Sequence, residues 1–116
     1  MDESAAFLAA LEDLHGALEA NIERARAMQN RIGLLRDAHA QGQPLREMVS
    51  LEEQPLIVRM LSESARVLDE CGSRVRRLEA RALYEEGLTM DEIAQLFGVT
   101  RQRVSALLRG GDAARD

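Results

Sequence analysis

The chain has 116 residues and a mass of 12.9 kDa, with 46% apolar and 30% charged residues, one Cys, two Pro, no Trp and three aromatic residues. That length suits one domain, or a small domain with an extended arm, and is too short for most catalytic barrels and doubly wound enzymes. One Cys excludes an intrachain disulfide framework and a Cys-based zinc site, and the acidic start (Asp2, Glu3) without a long apolar run predicts no signal peptide and no membrane span, hence a soluble cytoplasmic protein.

Seventeen Ala and seventeen Leu with few β-branched residues are helix composition, so the expected fold class is all-α. All fifteen basic residues are Arg. Arg and Ala are raised together throughout the chain, which is what a GC-rich genome produces, so the Arg bias alone carries no functional argument. The net charge of −5 is unevenly divided. Residues 1–73 hold 7 Arg against 13 acids (net −6), residues 74–109 hold 7 Arg against 5 acids (net +2), and the tail adds −1. An acidic part is joined to a mildly basic part suited to DNA.

In chain order, a 4-3 spacing runs through Phe7, Leu11, Leu14, Leu18, Asn21, Ala25, Met28, Ile32 and Leu35, with Leu8 and Ile22 widening the stripe. This is a heptad seam, and it predicts a helix from about residue 3 or 4 to about 40, on the order of 50 Å long, ending near Gly42. Residues 41–54 form a connector with a short turn at 44–49, and Ser50 with Glu53 forms a capping box ahead of Pro55. A second seam follows at Ile57, Leu61, Ser64, Leu68, Cys71, Val75, Leu78 and Ala82, widened by Met60 and Val67. Two long amphipathic helices with a moderate loop predict an antiparallel hairpin over residues 1–73, with a second hairpin completing it as a dimer. Leu11, Leu14, Leu18, Asn21, Met28, Ile32, Leu61, Leu68 and Val75 are the expected hairpin or dimer seam. Asn21 either fixes register or sits at the seam edge and bonds water. Gly72–Ser73 either breaks the second helix or lies within it.

Residues 89–109, TMDEIAQLFGVTRQRVSALLR, carry the strongest local signal. Thr89 with Glu92 makes a capping box, Gly98 is a left-handed stop, and Thr100 caps a second short helix. A gap of only Gly98-Val99-Thr100 forces the helices to cross steeply. Ala94 is the small residue where the backbones meet, and Ile93, Phe97, Val99, Val104 and Leu107 stand where they would fill the angle.

This segment resembles a helix-turn-helix DNA-binding motif, similar to those of the fourth region of sigma factors and of lac-repressor-type regulators. The small residue, the turn glycine and the five apolar positions all match, and residues 74–86, with Leu78, Ala82 and Leu83 inward, would supply the third helix. The resemblance covers residues 74–109, with 110–116 as a disordered tail. It implies a recognition helix at about 101–109, presenting Thr100, Arg101, Gln102, Ser105, Ala106 and Arg109 to base edges in the major groove. Thr89, Arg103, Arg74, Arg77 and Arg81, with Arg76 beside them, are the implied phosphate contacts, and for Arg74, Arg76, Arg77 and Arg81 the alternative is a solvated helix face.

His15 and His39 are too far apart in sequence for a local metal site, with His15 expected to be partly buried and His39 to favour the helix-end dipole. Cys71 is expected to pack as a small hydrophobe. No phosphate loop or nucleophile-with-base constellation is present, and adjacent acid pairs split around their helices. The expected function is therefore not enzymatic and needs no cofactor or metal. It is a dimeric, sequence-specific transcriptional regulator bound to double-stranded DNA in the nucleoid. The alternatives are an adaptor whose acidic arm docks on RNA polymerase, a sigma factor or another protein, and a nucleoid-associated protein that binds DNA broadly.

Overall fold

The computed structural model describes residues 2–49 and 56–110, and every described element is helical. Helix α1 spans Glu3–Ala40, α2 Leu45–Val49, α3 Leu56–Glu85, α4 Met90–Phe97 and α5 Arg101–Leu108. The fold is all-α, as the composition predicts. The Ser50–Glu53 capping box, Pro55 and residues 111–116 lie outside the described residues.

Local chemistry sets the boundaries. α1 ends where Gly42 takes φ 86, and the Gln43 N–H returns to the Ala38 carbonyl at 2.9 Å. Such a left-handed residue closes the last carbonyls of a helix at no cost in side-chain strain. α3 runs unbroken through Gly72 and Ser73, so the third helix of the C-terminal bundle is the end of a 30-residue helix. It stops at Gly87 (φ 108), where the Leu88 N–H reaches back to the Leu83 carbonyl at 3.1 Å.

The chain gathers into two compact units. One holds residues 17–68, the other residues 1–16 and 69–116. The late half of α1 thus shares a unit with the early half of α3, and the start of α1 shares one with the end of α3, which is the antiparallel pairing two long helices and a loop predict.

Within the 17–68 unit, the half-buried or buried row on α1 is Ala17, Asn21, Arg24, Met28, Arg31, Leu35 and Ala38, and on α3 it is Ile57, Met60, Ser64 and Val67. One line of the predicted seam (Asn21, Met28; likewise Leu14 and Val75 in the other unit) is therefore half-buried. The other line does not form the hairpin's own seam: Leu18, Ile32, Leu61 and Leu68 are 39–55% exposed in the single chain, and Leu11 in the other unit is also exposed. The packed line lies one residue earlier because hydrogen bonding holds the hairpin there. Arg24 donates through Nη2 to Asn21 Oδ1 and through Nε to Ser64 Oγ at 3.0 Å. Its aliphatic stem covers the seam while its head satisfies polar atoms on both helices. Asn21 thus works inside the hairpin, holding the Arg24 guanidinium that reaches Ser64 on α3.

The 1–16/69–116 unit contains the dry core. Ala80, Ile93, Ala94, Val104 and Leu107 are buried together, with Leu83, Leu88, Met90, Phe97 and Leu108 packed around them. Ala80, Ile93 and Val104 are fully buried. Leu78 and Ala82 are buried outside that cluster. At the start of α1, Asp13 pairs with Arg74 of α3.

Candidate nucleic-acid interface

Helix α4 begins as its sequence dictates. Thr89 Oγ1 accepts from the Glu92 N–H at 3.1 Å, and Glu92 Oε1 accepts from the Thr89 N–H at 2.8 Å, a complete capping box. The helix ends at Gly98 with φ 68 and ψ 34, its N–H directed at the Ala94 and Gln95 carbonyls. Two residues later, Thr100 Oγ1 accepts from the Arg103 N–H at 3.1 Å and opens α5. Two helices of eight residues with three residues between them meet over Ala94, and Ile93, Val104 and Leu107 close the angle. Ala80 lets α3 approach this point closely because it has only a methyl to accommodate.

Two motif residues depart from the sequence reading. Val99 is 40% exposed rather than filling the angle. Its N–H is drawn back to the Ala94 carbonyl at 3.0 Å, which commits it to the outside of the reversal, while Leu88 and Met90 supply the packing from before and within α4. Ala106, expected to face outward, is 7% exposed. A methyl group stands so low on a helix surface beside Leu107 that neighbouring atoms cover it, and it is withdrawn from the base-reading set.

The remaining residues of that set stand as follows. Thr100, Arg101, Gln102 and Arg109 are exposed along α5 and its caps, and Ser105 is half-buried. Arg109 donates through Nη1 to Ser105 Oγ at 2.7 Å, so these two side chains form one unit at the end of the helix. Arg101 lies 3.8 Å from Asp91, with both side chains mostly solvated. Thr89 and Arg101 line a single open groove of about 390 Å³ together with Tyr84, Leu88 and Met90, so the N-terminus of α4 and that of α5 border the same surface.

Among the expected phosphate contacts, Arg103, Arg77 and Arg81 are half-buried, and Arg74 is engaged by Asp13. Arg76 is exposed and its guanidinium reaches Ser73 Oγ at 3.5 Å. The sequence reading missed Asp91 as the neighbour of Arg101 and Ala80 as the core floor. The first sits ten residues from its partner, and only the steep helix crossing brings them together. The second is visible only as a small residue on the inward face of α3.

Other candidate centres are quickly placed. Among the described residues no group of His, Cys, Asp and Glu has metal-site geometry, and no helix is long and apolar enough to cross a membrane. His15 is exposed, not partly buried, because it lies on the outward line of α1 with Leu11 and Leu18. Cys71 is a half-buried free thiol, and His39 occupies the last turn of α1.

A capped helix, a left-handed glycine, a three-residue turn and a second capped helix over a shared apolar core define a helix-turn-helix. Residues 83–111 match the family described as Sigma-70, region 4, a helix-turn-helix DNA-binding region. The match spans 29 of the 116 residues, and the hairpin of residues 17–68 lies outside it. No curated protein and no solved structure matches the chain. The chain carries a helix-turn-helix DNA-binding region of the kind found in transcription proteins.

Proposed function

We propose that this protein is a sequence-specific transcriptional regulator that binds double-stranded DNA as a homodimer, with α5 in the major groove. The observation that carries the reading is the outer surface of α5. Residues 100–109 hold three Arg and no acid, and Thr100, Arg101, Gln102 and Arg109 are exposed on a helix anchored from behind by Val104 and Leu107. Arg can grip guanine O6 and N7 and Gln can pair with adenine N6 and N7, the side-chain chemistry for telling one base pair from another. Thr89 and Arg103 flank this surface as phosphate contacts that set orientation without reading sequence.

A single short recognition helix with few basic neighbours binds weakly, so two copies on symmetry-related half-sites supply the affinity. Half-site centres then lie about one helical turn apart, roughly 34–36 Å, or a multiple of it. The adaptor reading draws on the acidic excess, which is concentrated at the ends of the arm. Residues 1–16 carry four acids and no base, whereas residues 17–68 carry seven Arg and seven acids. A neutral hairpin does not favour a basic partner.

The test is selection from sheared genomic DNA with purified protein at about 150 mM salt, followed by sequencing. A few sites sharing an inverted repeat are expected. Broad, salt-sensitive recovery assigns the protein to general nucleoid binding instead, because phosphate contacts alone behave that way. On a recovered site, Arg101→Ala weakens binding by about 1–3 kcal/mol and relaxes preference at one base pair. Unchanged affinity and preference would remove Arg101 from the interface.

A further inference from the structure

We infer that one face of the 17–68 hairpin is the surface on which a second copy of this chain packs, closing a four-helix bundle. This rests on the reading of the protein as a pair and specifies which side chains make it. On α1, Leu18, Ile22, Ala25 and Ile32 are exposed at 4-3-7 spacing, one residue after the half-buried line that begins at Ala17 and Asn21. On α3, Val58, Leu61, Ala65 and Leu68 are exposed at 3-4-3 spacing, one residue after the half-buried line of Ile57 and Met60.

One residue is about 100° around an α-helix. The two helices run in opposite directions, so the same one-residue step carries both stripes to the same side of the hairpin. The result is a two-helix apolar face with the heptad spacing that helices use to pack on one another. The hairpin's own seam is already occupied, as the Arg24–Ser64 hydrogen bond across it demonstrates, and so it is not the surface left for a partner.

Area and charge select a second copy as the occupant. The six large side chains of the face keep 39–55% of their surface in solvent. That amounts to roughly 500 Å² of apolar surface per chain, and a symmetric pair buries about twice as much, near the 1,000 Å² that a specific interface requires. A two-fold interface sets each surface against itself, so any net charge opposes it. The seven Arg and seven acids of residues 17–68 leave no such charge, in contrast to residues 1–16, which hold four acids and no Arg.

The test is sedimentation of the full chain from about 1 to 100 µM, a range that reveals a mass-action pair. The wild type is expected at twice the 12.9 kDa chain mass. The double variant Ile22→Glu, Leu61→Glu is expected at the single mass with unchanged far-UV helix signal, and at least tenfold weaker on a two-half-site operator. Leu34→Glu is the control: Leu34 is 58% exposed but precedes the half-buried Leu35 and so points to the opposite flank. It is expected to remain paired. A double variant that keeps the doubled mass overturns this face while leaving the pairing intact, and so does a Leu34→Glu chain that dissociates. A wild type at single mass that still binds its selected site overturns both the face and the pairing, but not the DNA reading.

Discussion

The two units of this chain solve the same problem with different means. The helix-turn-helix unit buries Ala80, Ile93 and Val104 completely and has its apolar core closed on all sides by three helices. The 17–68 hairpin is as apolar in pattern, yet Ala38 is the only one of its described residues that is buried, and it leaves large aliphatic side chains in solvent. Its helices are held in register by Asn21, Arg24 and Ser64 rather than by a dry interior. Two short helices crossing steeply over the end of α3 enclose a centre, whereas two long helices side by side have only a line of contact. The first unit encloses its own apolar core, and the second leaves an apolar face in solvent, which is the face proposed above for a second copy.

The largest effect expected from breaking this contrast is at Ile93. Ile93→Ala leaves a cavity at the fully buried centre and should destabilise the helix-turn-helix unit by about 2–5 kcal/mol in denaturant titration, with DNA binding lost alongside. An aliphatic-to-Ala change on the exposed hairpin face should cost far less when measured at protein concentrations below the dissociation constant of any pair, and equal losses at both places would erase the distinction.

Gly98 comes next. A Cβ there meets nothing within 4 Å, so Gly98→Ala should cost only the left-handed backbone penalty, roughly 1–2 kcal/mol. Gly98→Asn, which tolerates that conformation better, should recover part of it in the same thermal melt. Equal losses would show that the position demands more than its φ of 68.

The polar seam of the hairpin gives a smaller signal. Ser64→Ala leaves Arg24 Nε without its partner across the seam and should cost about 1 kcal/mol in urea unfolding. Asn21→Ala combined with Ser64→Ala should be non-additive, because both oxygens bind the same guanidinium.

The smallest effect is at Glu63. The Arg66 hydrogen bond, with the charges of Arg66 and Arg24 adding to it, holds this carboxyl below its ordinary value of 4.5. A lowered carboxylate stabilises the fold above its unfolded value and loses that contribution as pH falls through the folded one. The difference in melting temperature between wild type and Glu63→Gln should therefore be constant near neutrality and shrink in acid. Its partial exposure and salt screening keep it small.

Much of this could be read in the residues because the signals are local. Thr89 with Glu92, Gly98 and Thr100 each act on backbone groups within four positions, so their spacing alone sets both short helices and the turn between them. Gly42 and the 4-3 spacing likewise mark out a helix from residue 3 to 40. Val99 and Ala106 could not be placed in this way. Whether an apolar side chain at a turn points in or out depends on which of Leu88, Met90 and Phe97 takes the space first.

What the sequence determined by itself is the first long helix, the two short helices and the turn between them, because capping and periodicity are short-range and nearly independent of context. It left open whether α3 runs through Gly72. What only the tertiary structure decided is which of two neighbouring apolar lines on α1 and α3 faces inward. The two lines differ by one residue and both satisfy a heptad. The choice fell to the line containing Asn21, Arg24 and Ser64 because hydrogen bonds between helices need specific partners, while a Leu stripe packs on any apolar surface presented to it. Arg101 belongs to the same class. Its position on α5 is local, but its ion pair with Asp91 exists only because the Gly98 turn sets one helix across the other.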